Sequence, residues 1–133
     1  MPAGKNTKPF AIEPSKLSVI NYKTLDSLKD QIGEINFVRV RRLYLDETKR
    51  RLSSLLAAWV RRDHDSLALE AHTLASSVSS FGCDDLAWRM NNIEKASRVM
   101  NMSDVISYMK DIEKHAEESL SEVEAYVLKS GSA

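Results

Sequence analysis

Four side chains in this sequence carry nucleophilic or metal-binding chemistry near neutral pH: His64, His72, His115 and the single cysteine, Cys83. His64 and His72 are eight residues apart. On a helix that is about 80° of rotation and ~12 Å of rise, which is not a metal-ligand spacing. No metal site is expected. His115 stands among Lys114, Glu117 and Glu118, the composition of a solvated helix face. Cys83 has no second cysteine to pair with, and its place after Gly82 suits a small core filler.

His72 is different. It lies in "AHTLASSVSSFGC", residues 71–83, a stretch without a charged residue in an otherwise densely charged chain. At 100° per residue, Leu67, Leu74, Val78 and Phe81 gather on one side of a helix. His72 falls almost opposite, with Asp65, Ala68, Leu69, Ala75, Ser76 and Ser79 around it. Four serines between 76 and 80 each cost roughly half a kcal/mol of helix propensity against alanine. Small side chains there let a partner's backbone come close and leave the imidazole unobstructed. A neutral histidine keeps one ring nitrogen free as a nucleophile. From the pattern alone an incidental surface histidine remains open, with Ser77 and Ser80 simply allowing close helix packing.

The elements that would hold this histidine are helical. After Pro14 there is no further proline, and Gly33 and Gly82 are the only glycines before the C-terminal "SGSA" once residue 5 is passed. Apolar spacing predicts a first helix over about 22–32, stopped by Gly33, and a second over about 35–61. The second helix's stripe is Phe37, Val40, Tyr44, Leu45, Leu52, Leu55, Leu56 and Trp59. Asp63 caps the third, which runs to about 81. Asp84 caps the fourth, which runs to about 99. Ser103 or Asp104 caps a fifth, running to about 128 on Ile106, Met109, Ile112, Ala116, Leu120, Val123 and Val127. Short connections make neighbours antiparallel. The expected architecture is all-α: an antiparallel four-helix bundle with a short additional N-terminal helix. Residues 1–15 are expected as a flexible tail, 16–129 as one domain and 130–133 as a flexible end.

Composition excludes several functions. Nineteen basic residues balance nineteen acidic ones, so a general nucleic-acid binder is not expected. The N-terminus has no apolar signal-peptide core, and the longest apolar run, residues 55–60, is far below the ~20 needed to span a membrane. A cytoplasmic location is expected. There is no Gly-rich phosphate loop, so the chain should not draw phosphate from ATP by itself. A basic second helix contrasts with an acidic last one, which reads either as steering of acidic partners or as solvated faces that pair. Trp88 reads either as bundle-edge packing or as a partner contact.

The run "AHTLASSVSSFGCDDLAWRMNNIE" resembles the signature of histidine-containing phosphotransfer (HPt) domains. Ala71, His72, Leu74, Ser77, Gly82, Leu86, Ala87 and Glu94 match in register. The upstream helix and its short turn at Asp63 are similar too, so the resemblance covers about 20–128. It implies a four-helix bundle in which His72 accepts a phosphoryl group from the aspartate of one receiver domain and passes it to another. The implied partners are response-regulator receiver domains and (hybrid) sensor histidine kinases. No cofactor belongs to the HPt chain itself; the receiver supplies Mg2+, an acidic pocket and a lysine. Two positions depart from the family. The usual lysine three residues after the histidine is Ala75, and the following glycine is Ser76. Ala75, Ser76, Ser79 and Arg98 are the expected phosphoryl-site neighbours, with Arg98 ranked first as replacement cation. Asp65, Ala68 and Leu69 are the expected docking residues. The start at Met1 and the end soon after the last helix lead us to expect a free-standing, monomeric relay protein. The alternatives are a degenerate module that docks receivers with weak transfer, and a structural helical bundle.

Overall fold

The computed structural model describes residues 17–131, with side chains through 126. The tail expected over 1–15 lies outside the described residues, as do residues 132–133 and the side chain of Val127. Six helices and no strand occupy the described part: α1 (Tyr22–Ile32), α2 (Glu34–Arg61), α3 (His64–Ser80), α4 (Asp84–Arg98), α5 (Met102–Met109) and α6 (Ile112–Gly131). The all-α bundle is as expected, with α2, α3, α4 and α6 as its long members and α1 across one end. Phe37, Leu45, Leu55, Leu67, Leu74, Val78, Leu86, Met90, Ile93 and Ile112 are almost fully buried in one core.

Local chemistry sets most boundaries. Asn21 caps α1 by accepting from the Lys23 amide at 3.1 Å. Asp63 caps α3 by accepting from the Ser66 amide at 3.1 Å, as its sequence position predicts. Gly82 has φ +76°, and a Cβ there would sit 2.6 Å from the Asn21 carbonyl oxygen. That close approach lets the Asn21 amide donate to the Gly82 carbonyl at 2.7 Å. The α1 start is thereby fastened to the α3–α4 turn. Beneath the turn, Phe81 stacks on Tyr44 of α2 at 4.0 Å between ring centroids.

The structure corrects several expectations. Cys83, not Asp84, holds the N-cap position of α4 and makes no side-chain cap bond. Asp84 already lies in the first turn, and its carboxylate accepts from Asn21 Nδ2 at 3.2 Å. The last expected helix is two helices. Asn101 caps α5 by accepting from the Asp104 amide at 3.2 Å, and the chain breaks where Asp111 takes φ +62°. Aspartate tolerates that left-handed conformation better than most residues, so neither glycine nor proline was needed to mark the break. α5 packs on α4 through Val105, leaving Ile106 at 58% exposure. α6 then continues to Gly131, past the expected end near 128. Val40 also lies outward, at 37% exposure.

Candidate functional site: an exposed histidine held by a carboxylate

The third helix buries Leu67, Ala71, Leu74 and Val78 and turns His72 outward, so the wheel's main prediction holds. The imidazole is 63% exposed. The flank between core stripe and histidine is not open, however. Ala68 and Ala75 are 1% and 6% exposed. Both α3 and α4 bury small residues, Ala68, Ala71 and Ala75 on one and Ala87 and Ala96 on the other, and they form the most extensive helix pair of the fold. Ala68, expected on the open side, is therefore a packing residue with almost no surface of its own. Position 75 is a packing position on which a lysine would have to reach out along the surface. Asp65, Leu69, Ser76 and Ser79 are exposed around His72, as expected.

Close packing brings Glu94 of α4 to the histidine. Its Oε1 lies 3.1 Å from His72 Nδ1, and its Oε2 accepts from Arg98 Nε at 2.9 Å. The Glu94 side chain is only 19% exposed. Burial on its own would raise its pKa. The hydrogen bonds from Arg98 and His72, with the Arg98 charge, outweigh burial and hold the carboxyl below its ordinary value. An ionised carboxylate can only accept, so the Nδ1 atom carries the proton. The neutral imidazole then keeps its lone pair on Nε2. Arg98, expected beside the phosphoryl position, holds Glu94 instead of contacting the imidazole. With Asn91, Lys95 and Val99, Glu94 and Arg98 line a shallow depression next to the site.

Glu94 is the residue whose part in the site the sequence did not disclose. It matched the family signature, and Arg98 follows it at i+4, but helical spacing says nothing about which residue of one helix meets which residue of another.

The remaining candidates lie elsewhere. His115 is not on a solvated face: it is half-buried, with Nδ1 3.9 Å from Asp85 Oδ2, which also accepts from Arg89 Nε at 3.1 Å. This cluster ties α6 to α4, nine residues before Glu94 and so about 13 Å away along the helix. Cys83 is buried, as expected of a core filler, with Sγ 3.3 Å from Tyr44 Oη. Among the described residues no three His, Cys, Asp or Glu side chains are grouped to hold a metal ion. No described helix is long and apolar enough to cross a membrane. A surface groove of about 730 Å³ between α2 and α6 is lined by Val19, Leu45, Lys49 and Leu120 among others. It does not include His72.

The model of the Hpt domain family matches residues 39–126. The fold is also similar to the crystal structure of histidine-containing phosphotransfer protein B from Pseudomonas aeruginosa PAO1. The TM-score is 0.76 at 19% sequence identity, over 84% of this chain and 96% of that one. No curated protein matches the chain.

Proposed function

Because the chain belongs to the Hpt domain family, we propose that it relays a phosphoryl group between the aspartates of receiver domains through His72. The observation that carries this is the exposed imidazole whose Nδ1 is bound to Glu94, which leaves Nε2 facing outward as the nucleophile. In the forward step the Nε2 lone pair attacks the phosphorus of a receiver's aspartyl phosphate. The N–P bond forms as the P–O bond breaks, and the aspartate leaves as a carboxylate. Nε2 has no proton to lose. The product imidazole is substituted on both nitrogens and carries positive charge, which the Glu94 carboxylate faces across the Nδ1–H. Transfer to a second receiver is the reverse of this step. The acidic pocket and the Mg2+ ion belong to the receiver. The HPt chain contributes position and local charge, which dominate phosphoryl transfer.

Leu69, 60% exposed one turn before His72, together with Asp65, Ser76 and Ser79, forms the surface around the nucleophile. Small and apolar groups there fit a receiver that must bring its aspartate within bonding distance. Ser76 has room to donate its hydroxyl to a phosphoryl oxygen. The reading also implies response regulators and sensor histidine kinases as partners, in the cytoplasm.

The test is transfer from a phosphorylated receiver domain. The expected product is an acid-labile, base-stable label on the wild-type chain and none on His72→Gln. Equal labelling of the two defeats the relay reading. Receiver binding without any transfer would identify a degenerate docking module.

A further inference from the structure

The outer face of α2 is neither solvated in the ordinary way nor covered. Its outermost residues run Ile35, Arg39, Arg42, Asp46 and Arg50, with Leu43 beside them, and all are exposed. Ile35 is 78% and Leu43 64% exposed, and Val38 adds a further 42% exposed side chain. Apolar side chains mixed with arginine, with little lysine, are the composition of protein interfaces. Neither Arg39 nor Glu34 has an ion-pair partner among the described residues.

The order of charges along this face selects its occupant. Reversed about the midpoint between Arg42 and Leu43, the face maps onto itself. Arg39 then falls opposite Asp46, twice across the axis, and Ile35 opposite the aliphatic stem of Arg50. Arg42 and Leu43 fall opposite each other next to the axis, and Arg42 keeps Asp46 of its own helix at 3.9 Å. A parallel pairing would instead place Arg39 on Arg39, Asp46 on Asp46 and Arg50 on Arg50, which like charges oppose. We propose that this face binds a second copy of the chain, antiparallel across a two-fold axis, with Arg39 of each copy opposite Asp46 of the other. Such a contact is isologous and closes at a dimer.

The pairing leaves the histidine open. Arg51 reaches Glu70 at 3.6 Å, so α2 lies along the Glu70 flank of α3. Glu94 binds His72 from the other flank. The dimer would therefore present two outward histidines. Residues 34–51 span only about 26 Å of helix, less contact than the usual stable interface provides, so the association should be weak and salt-sensitive.

Sedimentation of the full chain from ~10 µM to ~1 mM, in low and in physiological salt, tests this. The expected result is a monomer–dimer equilibrium. Arg39→Glu and Asp46→Arg should each weaken the dimer at least about tenfold, and the double exchange should restore it to within about threefold. His72→Gln should dimerise as the wild type does, which separates this proposal from the relay. A monomer throughout the range overturns the proposal and leaves the face to a different partner. A dimer that neither single exchange weakens, or that the double exchange does not restore, overturns the register.

Discussion

Replacing Glu94 with leucine should change which nitrogen of His72 carries the proton. The residue sits near the end of α4, and leucine is a good helix former, so the backbone is not at risk. The bond removed is charge-assisted, at 3.1 Å. Such bonds contribute about 1.5–3 kcal/mol when well shielded. Here the carboxylate is mostly covered but the imidazole is 63% exposed, so solvent screening reduces the value to roughly 1 kcal/mol. With RT near 0.59 kcal/mol, that is about a fivefold bias toward the Nδ1–H form. Glu94→Leu should lose this bias, and the nitrogen chemical shifts of the His72 imidazole should move toward those of an unconstrained histidine. Phosphotransfer should slow by about five- to tenfold, since the developing positive charge loses its carboxylate as well. Glu94→Gln keeps a neutral acceptor and should fall between the two. Unchanged tautomer populations in Glu94→Leu would refute the reasoning, whatever happened to the rate. The pH dependence has a definite sign. The folded pKa of Glu94 lies below its ordinary value of 4.5, so its stabilisation is fully present above that value. It is lost as pH falls through the folded pKa. The stability difference between wild type and Glu94→Gln should therefore shrink in acid.

Gly82→Ala should cost about 2–4 kcal/mol in urea unfolding, because an L-residue at φ +76° is strained and its Cβ meets the Asn21 carbonyl at 2.6 Å. Burial pushes the Cys83 thiol up to about 11, the Tyr44 hydrogen bond opposing and the charge of Asp84 assisting. The native protein should thus resist thiol–disulfide reagents at pH 8 and react only on unfolding. Ala75→Lys should lengthen the lifetime of phospho-His72 by restoring a cation, at an overpacking cost of about 1–3 kcal/mol in unfolding measurements. An unchanged lifetime would show that no cation is missing.

Periodicity and end signals made most of the fold legible. Asp63 and Gly82 are local devices, and each acts where the sequence places it. The outward turn of His72 followed from the spacing of Leu67, Leu74 and Val78, because a 3.6-residue repeat relates residues of one helix to each other. The break at Lys110 and Asp111 was hidden, since no glycine, proline or cap pattern marks it and the apolar stripe runs on across it. The burial of Ala68 and Ala75 was hidden for a related reason. A wheel separates the core side from its opposite, but it cannot show how far a neighbouring helix climbs the flank. Small residues permit close approach as readily as they leave a surface open.

The sequence by itself determined a helical bundle, an outward histidine in a cleared patch, and an uncharged alanine at position 75. These are properties of residue type and of spacing within one helix. The tertiary structure alone decided that Glu94 holds Nδ1, that Arg98 holds Glu94 and not the imidazole, and that His115 lies half-buried beside Asp85 and Arg89. Each depends on the rotation and separation of two helices, set by how alanines and leucines pack across a core. Neighbours along one chain do not specify that packing.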